Sequence, residues 1–150
     1  MSETTTRLPL NGEKAPTLTA ETTQGATRFL EDFKRKWDHR EGPVVLATVS
    51  ADGVPNVIYA TCVGTFGDDQ LVVADNYFNK TRRNILGTGR GALLFITKDG
   101  KAYQIKGSLE YHRDGEVFES MKSWNPPQHP GHAAAALRVE EVYSGATKLV

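Results

Sequence analysis

Cysteine is nearly absent: Cys62 is the only one in 150 residues, so one copy of the chain forms no internal disulfide and no multi-cysteine metal site. A reducing setting, the cytoplasm, is the expectation. Net charge is absent as well, because eighteen basic residues cancel eighteen acidic ones. The chain therefore has no global field to gather nucleic acid or an anionic membrane surface. No apolar run approaches the ~20 residues of a spanning helix, and Met1 to Thr6 lack the basic-then-apolar order of an export signal. Nucleic acid and membrane are not expected partners. No serine lies in a Gly-x-Ser-x-Gly elbow, and Cys62 has no neighbouring base in the sequence, so nucleophilic hydrolysis has no candidate. His129 and His132 stand three apart in a Pro/Gly-rich loop with no third ligand at useful spacing, which argues against a metal site.

What remains reads as one domain with a single core, 39% hydrophobic. Residues 1–25 are rich in Thr, Glu, Gly and Pro and read as a mobile polar leader, and 26–150 as the folded domain. Phe29, Leu30, Phe33 and Trp37 recur at helical spacing with charges between them. From Pro43 the period shortens to two. Six strands are expected: 44–50, 56–66, 71–75, 92–97, 103–111 and 134–143. The Asp52-Gly53, Gly67-Asp68 and Asp99-Gly100 pairs supply tight turns. Alternation is cleanest where Tyr103, Ile105, Gly107, Leu109 and Tyr111 alternate with Gln104, Lys106, Ser108 and Glu110. Two short helices interrupt the strands. One covers 80–86, with Asn79 at its N-cap and Gly87-Thr88-Gly89 as its stop; the other follows Asp114 and carries Val117, Phe118, Met121 and Trp124 on one stripe. Strands joined by tight turns favour a mainly β, antiparallel barrel over a parallel sheet with long crossovers.

Chemistry concentrates in 72–85, where a strand ends and a helix begins with Lys80 and Thr81 in its first turn and Arg82 and Arg83 beside them. Helix N-termini carry unpaired N–H groups and partial positive charge, so a phosphate there gains oriented donors and Lys80 as counter-ion. The plainer alternative is a solvated basic helix face. The Gly87-Thr88-Gly89-Arg90-Gly91 run follows a helix instead of opening one, so it reads as a turn and not as a dinucleotide fingerprint.

The order of these signals resembles the pyridoxamine 5'-phosphate oxidase-like, FMN-binding split-barrel family. The Asp52-Gly53 turn, the strand Pro55 to Cys62, the strand Leu71 to Ala74 and the segment Asn79-Lys80-Thr81-Arg82-Arg83-Asn84-Ile85 carry the likeness, over residues 27 to 146. The resemblance implies a six-stranded antiparallel split barrel in which Lys80 and Thr81 hold the FMN phosphate. It also implies that Asn84 assists and that Ile58, Tyr59, Ala60 and Thr61 with Ala74, Asp75 and Asn76 line the ring and ribityl chain. Cys62 reads as a small packed apolar residue, with contact to the ring as the alternative that its strand position allows. Two-fold dimers with two FMN at the interface are implied too, with Trp124 or the Pro126-Pro127 loop covering the partner's flavin; as the end of the apolar stripe of its helix, Trp124 reads more simply as core or interface packing. The chain is shorter than the pyridoxamine-phosphate oxidases and lacks their basic, His-containing C-terminal segment, which points to the small FMN-binding branch. Its expected function is that of an FMN-dependent oxidoreductase or electron carrier with a small-molecule redox partner, with no side chain needed as acid or base. The rivals are a sensor or storage module without turnover, or a barrel holding heme through His112, His129 or His132, or a deazaflavin.

Overall fold

The computed structural model describes residues 31–150. The leader and the residues Phe29 and Leu30 lie outside them. Helix α1 occupies 31–38 and turns Phe33 and Trp37 inward, where both meet the edge of the Phe95 ring, at centroid distances of 6.0 and 5.2 Å. Nine strands follow: β1 (Val44–Val49), β2 (Pro55–Ala60), β3 (Val63–Phe66), β4 (Gln70–Asp75), β5 (Arg90–Ile96), β6 (Ala102–His112), β7 (Ala133–Arg138), β8 (Glu141–Ser144) and β9 (Thr147–Lys148). Helices α2 (Lys80–Gly87) and α3 (Gly115–Trp124) are inserted after β4 and β6.

All pairings between these strands are antiparallel, and the sheet runs β2-β1-β5-β6-β7-β4-β3, with β8 and β9 branching from β6. The fold is the mainly β, antiparallel barrel that the strand pattern implies, in the split form that the family resemblance implies. Its strand count is nine and not six because two expected strands are each broken and a short unexpected strand, β9, pairs with β8. The run 56–66 splits at Thr61-Cys62: β2 pairs with β1, whereas β3 pairs with β4 on the other side of the barrel. The run 134–143 splits where the chain leaves β7 and crosses β6 to become β8.

That crossing explains the length of β6. Its half Tyr103–Lys106 pairs with β8, its half Leu109–His112 pairs with β7, and Gly107 lies between. A Cβ at Gly107 would stand 1.8 Å from the Arg138 carbonyl oxygen, so only glycine lets the crossing chain pass. Ser108, expected on the wet face, is buried here because Glu140 folds over it: its hydroxyl donates to Glu140 Oε2 at 3.0 Å, and Arg90 Nη1 donates to Oε1 at 3.2 Å.

Two apolar clusters fill the molecule. The larger joins α1, β1, β5, β6 and the inward residues Ala135 and Leu137 of β7; the smaller seats α3, through Val117 and Met121, on Ala134 and Ala136. Alanine is a poor strand former, yet four in a row let a helix on one side and the barrel core on the other approach β7 closely.

Candidate functional site

Strand β2 is an edge, so one side of its backbone donors and acceptors is unpaired within the sheet. Along that edge runs an open groove of about 460 Å³, within the range of small-molecule sites. One wall is β2 with Thr61 and Cys62; the other is Ala74, the loop 76–79 and the start of α2, and His129 also lines it. Ile58, Tyr59, Ala60, Thr61, Ala74, Asn76, Lys80 and Thr81, eight of the eleven residues singled out from sequence, line this one groove.

Lys80 is exposed at its rim and has no ion-pair partner among the described residues. Thr81 is only 2% exposed, and its Oγ1 accepts from Asn56 Nδ2 at 3.2 Å, which fixes the hydroxyl against β2. The first turn of α2 holds no acidic residue, and its leading N–H groups have no carbonyl within the helix to bond. A cation, a fixed hydroxyl and free N–H groups therefore converge on one end of the groove. Asn79 occupies the N-cap position, but its side chain makes no capping bond, and neither does that of Asp114 at α3. The absence of a side-chain cap leaves the N–H groups of α2 open to an outside acceptor.

Two expectations need correcting. Asp75 does not line the groove: its carboxyl points into the barrel, where it accepts from Arg82 Nε at 2.7 Å and Nη2 at 3.1 Å, from the Phe78 N–H at 3.0 Å and from the Tyr111 hydroxyl. Burial alone would push this carboxyl up, but Arg82, Tyr111 and the Phe78 amide outweigh burial and hold it below the ordinary carboxylate range. Arg82 is in turn held firmly protonated and is removed from the basic face. Asn84 also faces inward and donates from Nδ2 to Thr48 Oγ1 at 3.1 Å, tying α2 to β1. Trp124 lies against Gly64, where any Cβ would meet its indole at 2.8 Å, and it packs with the smaller core cluster, as its place on the apolar stripe of α3 suggests.

Sequence reasoning missed Asn56, Val57, Tyr77, Phe78 and Asn79, and set His129 aside as a loop histidine. Tyr77, 72% exposed, projects beside the groove, with its hydroxyl 3.1 Å from His129 Nδ1 and the two rings edge to face at 5.6 Å. The loop carrying His129 is held by a reciprocal amide pair. Asn76 Nδ2 donates to Asn125 Oδ1 at 3.1 Å, and Asn125 Nδ2 donates back to Asn76 Oδ1 at 2.9 Å, an oxygen that also accepts from the Gly131 N–H. Lys122 Nζ adds bonds to the Pro130 and Gly131 carbonyls. Of the three histidines considered as heme ligands, only His129 lies on the groove.

The sequence profile described as pyridoxamine 5'-phosphate oxidase matches residues 30–145. An uncharacterized protein of Methanocaldococcus jannaschii is 34% identical over 107 residues, covering 67% of this chain and 71% of that one. The pyridoxine/pyridoxamine 5'-phosphate oxidase of Rhizobium etli is 30% identical over 96 residues, or 63% of this chain, and the match spans only 46% of that oxidase. Among solved structures, the HupZ protein of Group A Streptococcus superimposes with a TM-score of 0.69 at 21% identity, covering 80% of this chain and 97% of that one. An FMN-binding protein from Syntrophomonas wolfei does so with 0.64 at 18%, covering 83% and 95%. HutZ, the heme storage protein from Vibrio cholerae, gives 0.57 at 19%, covering 76% and 92%. At these identities the structural likeness speaks for the fold alone.

Proposed function

The chain belongs to the pyridoxamine 5'-phosphate oxidase family, and from that premise we propose that it is a flavoprotein holding FMN in the groove along β2 and serving as an oxidoreductase or electron carrier. The observation that carries this reading is the convergence of Lys80, which has no ion-pair partner among the described residues, the buried Thr81 hydroxyl and the uncapped first turn of α2 on a groove whose remaining lining mixes apolar and aromatic side chains (Val57, Ile58, Tyr59, Phe78) with the amides of Asn56 and Asn76. A phosphate fits the first part and a flat ring with a polar edge fits the second, because the β2 edge offers backbone donors and acceptors to that polar edge. The bound flavin supplies the redox chemistry. Lys80 and Thr81 anchor the phosphate, Ile58 and Ala60 shape the ring wall, and Tyr77 with His129 shields the open end.

The same reading includes a homodimer with two FMN, in the cytoplasm, with a small-molecule redox partner. Its support is the outer face of the β2-β1-β5 half, where Val57 is 65% and Tyr59 77% exposed beside the exposed Leu94 and Ile96. Paired registers put Tyr59, Val45 and Leu94 in one row on that face, next to the groove. Such a contiguous apolar strip is unusual on a monomer and suits a second subunit. No helix among the described residues is long and apolar enough to cross a membrane.

A second reading, heme in the same groove, is favoured by one observation: the His129 imidazole on its wall. Replacing Lys80 separates the two. Lys80→Ala is expected to weaken FMN by about 1.5–3 kcal/mol, the range for a hydrogen bond to a charged group, with the fold intact because the side chain is exposed. Fluorescence titration of apoprotein with FMN measures it; an unchanged Kd in the variant would move the phosphate elsewhere.

A further inference from the structure

A second cleft, of about 410 Å³, opens beyond Lys80 between α2 and the β1–β2 turn. Asn56 and Lys80 line both it and the groove along β2, so the two adjoin. On the α2 side stand Lys80 and Arg83, three residues apart and hence neighbours on the helix surface. Neither has a side-chain partner among the described residues, whereas Arg82 between them is committed to Asp75. Two free cations about 5–6 Å apart at Cβ suit two linked phosphates better than one.

The opposite wall has the other sign. Asp52 accepts from the Ser50 hydroxyl, a bond that favours its ionised form, and its carboxylate stands in solvent at the cleft. A carboxylate in such a place repels phosphate and takes sugar hydroxyls, as acidic residues do beside bound nucleotides. Val54, 57% exposed, adds apolar surface for a base.

We propose that this cleft binds a nucleoside diphosphate group, with Lys80 and Arg83 on the phosphates and Asp52 on the ribose. The inference rests on the FMN reading only in that Lys80 is shared. The group has two possible sources, the adenylate arm of a flavin dinucleotide or a separate dinucleotide that meets bound FMN. Calorimetric titration tests both, with ADP, inorganic pyrophosphate, FMN and FAD as probes, against wild type, Arg83→Ala and Asp52→Ala. Both substituted side chains are exposed, so the variants should fold.

Arg83→Ala should weaken ADP and pyrophosphate by about tenfold, while Asp52→Ala weakens ADP alone, and FMN affinity stays within about twofold in both. FAD binding tighter than FMN, with the advantage lost in Arg83→Ala, assigns the arm to the cofactor. ADP binding to FMN-loaded protein, weakened in Arg83→Ala, assigns it to a separate dinucleotide. No ADP binding either to the protein as purified or after its flavin is removed, or equal ADP affinity in all three proteins, overturns the proposal. The FMN titration is scored separately: loss of FMN binding in wild type would strike the cofactor reading, not this one.

Discussion

Asp75→Ala is expected to remove about 3 kcal/mol of folding stability and to loosen FMN with it. The Asp75 side chain has no exposed surface, and its carboxyl holds Arg82, Tyr111 and the Phe78 N–H at once. Phe78 sits in the loop that delivers Lys80 and Thr81 to the groove, so the carboxyl fixes the very turn on which the anion site is built. Deleting one partner of a buried ion pair costs about 3–5 kcal/mol. The Arg82 side chain is 33% exposed and can turn toward water, which puts the expected loss at the low end.

Acid should act in the same direction. Because the folded carboxyl lies below its ordinary value, its stabilisation is complete above a pH of about 3.9 and is lost as pH falls through and below that value. Urea denaturation at neutral pH and at about pH 3 measures both effects, with wild type losing more stability on acidification than Asp75→Ala. Equal midpoints for the two proteins at neutral pH would contradict this role.

Gly107→Ala should cost still more, about 4 kcal/mol or above, beyond the usual range for an added methyl. The new Cβ would lie 1.8 Å from the Arg138 oxygen and 3.0 Å from its carbon, and backbone cannot yield as a side chain tip can. Relief requires the β7-to-β8 crossing to lift off β6, which would also uncover Glu140 and break its bond to Ser108. Thermal melts followed by circular dichroism check it. Gly87→Ala is the control: it sits in α2 with open space around it, and it should leave stability unchanged or raise it by up to about 1 kcal/mol. Equal melting of Gly107→Ala and wild type would contradict the crossing.

Much of the barrel was legible because local pattern dictates it: the alternation of β1 and β6 and the strand-to-helix transition before Lys80 all stand where the residues put them. The breaks were not legible. Residues 56–66 hold no proline and no turn pair to mark a break, and only the change of partner from β1 to β4 divides them. Ser108 looked solvated because nothing nearby in sequence announces Glu140, thirty-two residues away. The site follows the same rule. Lys80 and Thr81 were readable from a cation and a hydroxyl opening a helix. A carboxylate ending a strand, by contrast, looks like a lining group until Arg82 and Tyr111 are seen to claim it. Tyr77 and His129 meet across fifty-two residues, and no spacing rule foretells that contact.

A phosphate held by Lys80 and Thr81 is tested most directly by comparing FMN with riboflavin, which lacks only that phosphate. Titrated into the same apoprotein, FMN should bind at least about tenfold more tightly than riboflavin, and the difference should shrink in Lys80→Ala. Equal affinity for the two flavins, or a purified protein that takes up heme and neither flavin, would contradict it.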